Sequence, residues 1–180
     1  LAEAKNSLSD ASSIELIEGA AGNIPLGDEA VDLVFMSMVY HTLKDKEQTA
    51  REIFRTLRTG GFLVIKQTTL ESNSQERILW KFFPKAMEAI KPFVDTRAKI
   101  IKNFVDAGLV LIAHDSIGYE WYKNYWEFFE NEGKRARSPY KMVSDEEWAK
   151  NLADLKKFCE LHGQEGPVMD KRDLFVFKKR

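Results

Sequence analysis

The feature that most constrains the fold is an apolar run, Val31–Ser37 (VDLVFMS), that follows a turn-forming segment. That segment, residues 22–28 (GNIPLGD), combines proline, which fixes its own φ, with Gly-Asp, which favours a bend. A short and nearly all-apolar run bounded by turns is typical of a strand covered on both faces, as in a parallel sheet. We therefore expect Val31–Ser37 to be an internal strand of an α/β fold.

Strand and helix signals alternate along the rest of the chain. A helix is predicted over Lys46–Arg58, with Asp45 as its N-cap and Gly60-Gly61 as its end. Such alternation implies right-handed crossovers and a largely parallel three-layer sheet. The other predicted elements are a helix end at residues 1–8, strands at Ile14–Ala20, 62–67, 109–117 and 173–179, helical segments at 75–94 (broken by Pro84 and Pro92), 97–107 and 121–132, and a long helix from Ser144 to Gly163.

Composition restricts the class of protein further. With 180 residues, 44% of them hydrophobic, the chain can bury the core of one globular domain. The formal charge is −1 and the charges are interspersed, so no obligatory nucleic-acid partner is expected, and the basic stretch 134–137 is interpreted as a solvated loop. No apolar run approaches the roughly 20 residues that span a bilayer. The single Cys159 excludes an internal disulfide and predicts a reducing, cytoplasmic location.

Polar side chains follow the apolar run where a ligand site is expected. In open α/β sheets, ligands bind beyond the carboxyl ends of the strands, and here Ser37, Tyr40 and His41 occupy that position. An imidazole titrates near neutrality, so His41 could orient or deprotonate a substrate; alternatively it packs at a strand-to-helix turn. The three histidines show no metal-ligand spacing, and no metal site is predicted.

Several short motifs occur in a fixed order between residues 14 and 68. They are Gly19-Ala20-Ala21-Gly22, Ile24-Pro25-Leu26, Val31-Asp32-Leu33-Val34, Tyr40-His41-Thr42-Leu43 with Asp45, and Leu57-Arg58-Thr59-Gly60-Gly61 after Glu52 and Arg55. In this order and spacing they resemble class I S-adenosylmethionine-dependent methyltransferases of the group that includes quinone-biosynthesis C-methyltransferases. The closing segment, residues 138–177, looks like the substrate lid and the final antiparallel strand of that family.

The resemblance implies a Rossmann-like three-layer sandwich that is incomplete at its N-terminus. One domain, 1–180, would comprise a cofactor-side half (1–70), helices, a strand and a lid (71–172), and a final strand (173–180). The family's glycine-rich loop and ribose-binding acidic residue are not matched, so the chain is expected to begin inside the helix after the family's second strand. The exposed strand edges would then pair with an N-terminal segment, with a second copy in a homodimer, or with each other.

The resemblance also implies a cofactor, S-adenosylmethionine, and residues that contact it. Gly19, Ala20 and Ala21 would border the adenine ring. Ala20 stands where the family carries an acidic side chain for the exocyclic amine, so one specificity contact is missing. Met36 and Ser37 would lie near the methionine moiety.

On the acceptor side, the resemblance implies that Tyr40 and His41 face a small-molecule substrate. Trp121 and Tyr125 belong to an aromatic segment that either forms a lid over an apolar or aromatic acceptor or packs as a plain amphipathic helix. The predicted activity is methyl transfer from S-adenosylmethionine to such an acceptor, with His41 as the candidate catalytic residue.

An alternative is a catalytically inactive methyltransferase-like module that acts through protein–protein interaction. The unmatched glycine loop and Ala20 favour this alternative, and they also predict weak cofactor binding by these 180 residues alone. A dehydrogenase-type nucleotide binder is disfavoured because no dinucleotide fingerprint is found.

Overall fold

The computed structural model of the chain describes residues 13–73 and 77–180. Within these ranges four strands form one mixed sheet: β1 (Val31–Ser37), β2 (Leu57–Gln67), β3 (Val110–Tyr122) and β4 (Val168–Lys178). Their order across the sheet is β1-β2-β4-β3. β1 and β2 are parallel, whereas β4 runs antiparallel to both of its neighbours. The predicted α/β fold with an antiparallel final strand is thereby confirmed.

Helix α1 (Lys46–Thr56) connects β1 to β2. As predicted, Asp45 caps this helix, and its side chain accepts a hydrogen bond from the backbone N–H of Gln48 at 2.8 Å. The buried stripe of α1, which includes Ala50 and Ile53, belongs to the core against the sheet. A parallel pair joined by a helix brings the carboxyl ends of both strands to the same edge of the sheet.

The glycine pair does not end α1, because the helix stops at Thr56 and both glycines lie within β2. Gly60 has a φ of +86°, in the left-handed region that favours glycine. A Cβ on Gly61 would stand 2.9 Å from the carbonyl oxygens of Arg58 and Asp32. The two glycines therefore allow a distortion of β2 at which the register against β1 shifts.

Two clusters of buried side chains form the core. The first lies between the sheet and helices α1 and α4 (Arg97–Asp106), and its members include Met36, Leu63, Ile65, Phe104, Phe175 and Phe177. The second lies among the helices α2 (Ile78–Phe82), α3 (Pro84–Ile90), α5 (Tyr125–Glu132) and α6 (Asp145–His162), and its members include Phe83, Phe128, Tyr140, Leu155 and Cys159.

The predicted helix breaks are confirmed at both prolines. Pro84 opens α3, directly after α2, and Pro92 lies in a short 3-10 turn, Lys91–Phe93, that follows α3. No helix within the described ranges is long and apolar enough to cross a membrane. The helix end predicted for residues 1–8 lies outside the described residues.

Two predicted elements are wrong. Ile14–Ala20 forms no strand in the described part of the chain, where the pairing seen is one isolated bridge between Ala20 and Asn23. No described strand runs beside this segment, and an alternating pattern needs a neighbour with which to pair. The helix predicted from Trp121 begins at Tyr125, because β4 is long enough to keep Trp121 in β3.

One face of the sheet is open within residues 13–73 and 77–180. Leu33 and Phe35 of β1 are 56% and 61% exposed, and Phe62 beside them on β2 is 37% exposed. Side chains alternate along a strand, so Leu33 and Phe35 point away from the buried Met36. The described residues therefore cover only one face of β1. The apolar run predicted that both faces of this strand are covered.

Candidate functional site

A cavity of about 570 Å³ opens at the edge of the sheet where β1 and β2 end. The ends of these strands and the residues just after them supply Met38, His41, Gln67 and Thr68 to its wall. This edge, beyond the carboxyl ends of parallel strands, is where α/β proteins bind their ligands. We take this cavity as the candidate functional site.

The backbone of Met38 directs the chain from β1 towards the cavity. Met38 has a φ of +56°, and its N–H donates to the carbonyl oxygen of Lys66 at 2.8 Å. The 3-10 turn Tyr40–Thr42 follows directly. This connection places His41 in the cavity wall.

His41 contacts Gln67, whose side chain is buried at the end of β2. The Nε2 atom of Gln67 lies 3.1 Å from Nδ1 of His41 and donates to the carbonyl oxygen of Thr68 at 3.3 Å. The contact with Thr68 fixes the orientation of the amide, because Oε1 in the same place would face another acceptor. With the amide in this orientation, Nδ1 of His41 accepts and a neutral imidazole carries its proton on Nε2, while Oε1 of Gln67 is buried without a partner among the described residues.

Most of the remaining wall is apolar. Met87 of α3 is buried, whereas Phe93 and Met142 are half exposed at the wall. An apolar wall with a few convergent polar groups is typical of a small-molecule site. The apolar residues of the wall are Leu79, Met87, Ile90, Phe93, Val94, Pro139 and Met142.

Three arginines form the charged part of the wall, namely Arg77, Arg137 and Arg172, and no Asp or Glu of the described residues lines it. Arg172 is only 6% exposed. Sequence reasoning missed this group: Arg137 belongs to the stretch interpreted as a solvated loop, and Arg77 and Arg172 carried no signal. Arg172 stands among charged residues, Asp170 to Asp173, so the sequence around it resembles an ordinary exposed segment.

Buried Asp170 holds two of the arginines together. Nε and Nη2 of Arg77 donate to its carboxylate at 2.7 and 2.9 Å, and Nη1 of Arg77 donates to Asn73 at 2.6 Å. Nη1 of Arg172 also donates to Asp170. Burial lowers the pKa of the Arg77 guanidinium, while the charge of Asp170 acts in the opposite direction.

A second buried carboxylate, Glu132, holds Arg137. It accepts hydrogen bonds from Nε of Arg137 at 2.7 Å, from the hydroxyl of Tyr122 at 2.6 Å and from the hydroxyl of Tyr140. Burial, together with the charge of Glu132, raises the pKa of Tyr122 to about 12. The phenol therefore stays protonated at neutral pH and remains a donor to Glu132.

The residues predicted to contact the cofactor come from turn 19–21 and from the carboxyl end of β1. Turn 19–21 is exposed, and the carbonyl oxygen of Ala20 accepts from the backbone N–H of Asn23 at 2.9 Å. Met36 is buried in the first core cluster, whereas Ser37 is exposed at the end of β1. Contact of Gly19, Ala20, Ala21, Met36 and Ser37 with a cofactor stays a prediction.

Of the four residues predicted on the acceptor side, His41 is the one that lines the cavity. Tyr40 is buried in the first core cluster, with its ring centre 5.8 Å from that of Phe104. Its neighbour His41 faces the cavity because the 3-10 turn points successive side chains in different directions.

The two other predicted acceptor-side residues lie behind the wall. The ring of Trp121 faces the guanidinium carbons of Arg137 and Arg77, at 4.4 and 5.9 Å from the ring centre. Tyr125 packs edge-on against Phe158 in the second core cluster. The aromatic segment thus contributes to packing and to the support of the arginines.

Comparison with known proteins gives sequence matches to the first part of the chain and structural matches to nearly all of it. Residues 1–65 match a family model described as a methyltransferase domain. The chain is 31% identical over 71 residues to malonyl-[acyl-carrier protein] O-methyltransferase of Methylococcus capsulatus, which covers 39% of this chain and 26% of that protein. It is 28% identical over 86 residues to demethylmenaquinone methyltransferase of Lactobacillus johnsonii, and this match covers 46% of this chain and 35% of that protein. The matches thus span about a third or less of these curated relatives.

Solved structures share the fold over almost the whole chain. A methyltransferase candidate from an antibiotic biosynthesis pathway of Anabaena variabilis superposes with a TM-score of 0.69 at 17% identity, over 94% of this chain and 74% of that one. Another such structure is geranyl diphosphate C-methyltransferase of Streptomyces coelicolor, solved with Mg²⁺, geranyl diphosphate and S-adenosyl-L-homocysteine. It superposes with a TM-score of 0.52 at 11% identity, over 99% of this chain and 59% of that one. At these identities the likeness shows the fold alone.

Fold and sequence together define the class of protein. The chain has the fold of class I methyltransferases, and its first part carries the sequence pattern of a methyltransferase domain. The resemblance to S-adenosylmethionine-dependent methyltransferases is thereby confirmed at the level of class.

Proposed function

We propose that the chain forms the acceptor side of a methyltransferase that moves the methyl group of S-adenosylmethionine to a small, apolar or aromatic acceptor. The observation that carries this proposal is the largely apolar cavity beyond β1 and β2, with His41 and Gln67 in its wall. Such a cavity suits a ligand whose reactive atom has to be oriented. The family match and the names of the curated relatives support the reaction class.

The residues present are suited to one side of the cofactor, whose sulfonium would supply the methyl group. Turn 19–21 offers exposed backbone for the adenine ring, and Ser37 offers a hydroxyl at the strand end beside the cavity. Buried Met36 anchors this strand end in the core. Ala20 has no carboxylate, so recognition of the exocyclic amine falls to backbone groups.

His41 acts on the acceptor as a hydrogen-bond donor. Gln67 keeps the proton on Nε2, so the neutral ring donates to an acceptor oxygen and removes no proton from it. Methyl transfer requires nucleophile, methyl carbon and sulfur in line, and orientation alone provides much of the rate.

The test uses the complete gene product. We expect it to bind S-adenosylmethionine in isothermal titration and to transfer tritiated methyl groups to members of a panel of naphthoquinols, alkyl phenols and alkyl carboxylates. His41→Ala should lower kcat and leave cofactor affinity unchanged. His162→Ala is the control, because that ring pairs with Glu165 outside the cavity. A complete protein that binds no S-adenosylmethionine would overturn the proposal.

A second candidate function is recognition of a protein partner by a catalytically inactive module. The exposed Leu33, Phe35 and Phe62 on the open sheet face favour it, because contiguous exposed apolar side chains mark interaction surfaces. A complete protein that binds no cofactor, yet associates through this face, would support this candidate instead.

A further inference from the structure

We infer that the acceptor carries an anionic oxygen group, a carboxylate or a phosphate, which the arginine-lined wall of the cavity binds. The inference rests on the proposed function for the statement that the ligand is a methyl acceptor, whereas the binding of the anion is independent of methyl transfer. Its basis is that Arg77, Arg137 and Arg172 share one cavity with an otherwise apolar wall.

Among residues 13–73 and 77–180, the charges around this wall do not balance. Three guanidinium groups face the cavity, and the two carboxylates that contact them, Asp170 and Glu132, lie behind the wall and are buried. The described part of this cluster thus has three positive and two negative charges, which leaves one positive charge. A charge that is partly removed from water and not matched is costly, so a ligand that supplies a negative charge is favoured over a neutral one.

Two of the arginines have N–H groups to spare. Nη1 of Arg172 donates to Asp170 and to the carbonyl oxygen of Lys171, while its Nε and Nη2 make no hydrogen bond with the described residues. Arg137 uses Nε for Glu132 and Nη2 for Tyr122, and its Nη1 makes no such bond. These donors match the oxygen atoms of a carboxylate or a phosphate.

The third arginine keeps the site in place. Arg77 binds Asp170 with two hydrogen bonds, so the charge of Asp170 is satisfied without consuming the remaining donors of Arg172. The ring of Trp121 supports Arg137 at 4.4 Å and Arg77 at 5.9 Å. Arg77 and Trp121 are therefore positioning residues, and Arg137 and Arg172 are the residues that bind the anion.

The anion site adjoins the residues proposed to orient the acceptor. Gln67, which holds His41, pairs with Asp173 across β2 and β4, and Arg172 is the residue before Asp173, just beyond the end of β2. One acceptor molecule with an apolar body can thus contact both His41 and the arginines in the same cavity.

The experiment compares three ligands that share an eight-carbon chain: octanoate, octyl phosphate and 1-octanol. Binding to the complete protein is measured by isothermal titration without cofactor. We expect at least one of the two anions to bind about tenfold or more tightly than 1-octanol, the change that follows from one charge-assisted hydrogen bond. Arg172→Gln and Arg137→Gln should each remove most of this preference and leave the affinity for 1-octanol unchanged.

Arg58→Gln is the matched control, since Arg58 pairs with Asp32 on the surface, outside the cavity. Arg137→Gln keeps the test valid if Arg172→Gln fails to fold, because the Arg137 side chain is more exposed. Preference for octanoate identifies a carboxylate acceptor, and preference for octyl phosphate a phosphate. Equal binding of all three ligands by the parent protein would overturn the inference. Selective anion binding without any methyl transfer would leave the inference standing as a ligand site and remove the proposed function.

Discussion

The position of the proton on the His41 imidazole depends on a partner that no local sequence pattern reveals. The position of His41 after an apolar strand identified it as a candidate, but its tautomer depends on Gln67, which lies 26 residues further along the chain. Gln67 in turn is oriented by the carbonyl oxygen of Thr68. The chemistry of one side chain is thus decided by the pairing of two strands.

The tautomer can be changed by one substitution. In Gln67→Glu the new carboxylate accepts only, so Nδ1 of His41 must carry a proton to make this contact. Two-dimensional ¹⁵N–¹H spectra of the imidazole rings should show His41 as the Nε2–H form in the parent protein and as the Nδ1–H form in the variant. His162, whose Nδ1 lies 2.8 Å from Glu165 outside the cavity, serves as the internal control and keeps its pattern. The same His41 pattern in both proteins would contradict the assignment.

Among the elements, helix α1 fixes the segment that leads into β1. The backbone N–H of Ile24 donates to Glu52 at 2.9 Å, and Arg55 donates to the carbonyl oxygens of Ile24 and Leu26 at 3.1 and 2.9 Å. Arg55 also pairs with Glu52 at 2.8 Å. Glu52 and Arg55 of α1 therefore hold the segment that follows residues 19–21, which are predicted to border the adenine.

This arrangement predicts a specific sensitivity to acid. The hydrogen bond from Arg55, followed by that from the N–H of Ile24, lowers the pKa of Glu52 from 4.5 to about 2. A carboxyl whose pKa is depressed by folding stabilises the folded state above pH 4.5, and this contribution is lost as the pH falls from 4.5 to 2. Glu52→Gln should therefore flatten the pH dependence of the free energy of unfolding within that window.

Urea unfolding at a series of pH values measures the effect. Glu47→Gln is the control, because Glu47 lies on the same helix and makes no hydrogen bond with the described residues. An equally steep loss of stability in Glu52→Gln and in the parent protein would show that the contacts of Glu52 do not stabilise the fold.

Two of the confirmed features depend on residues close together in the chain, whereas two of the wrong predictions depend on distant residues. The cap at Asp45 and the break at Pro84 are confirmed, because a cap or a proline acts within a few residues. The strand at Ile14–Ala20 and the helix start at Trp121 are wrong, because strand formation depends on a neighbouring chain segment that local periodicity does not show.

For the molecule as a whole, the open sheet face is the feature with the clearest consequence. Leu33 and Phe35 remain more than half exposed although they come from a nearly all-apolar run. We expect the protein to self-associate through this face, a contact different from the pairing of strand edges that the sequence analysis considered for a homodimer.

Leu33→Ser combined with Phe35→Ser should weaken this association and change the stability of the monomer little, since neither side chain is buried. Sedimentation velocity over a range of concentrations measures it. Leu161→Ser is the control, because Leu161 is 81% exposed at the end of α6. A double variant that associates as strongly as the parent protein would assign the contact to another surface.

By itself, the sequence predicted the resemblance to methyltransferases, the α/β alternation, the cap at Asp45 and the place of His41 after β1. These features are encoded within short segments or in the order of motifs, and a linear reading is sufficient to find them. Only the tertiary structure decided which side chains share the cavity: Arg77, Arg137 and Arg172 come from three distant segments and meet His41 there. They converge because strand pairing and helix packing bring distant segments together, and neither depends on distance along the chain.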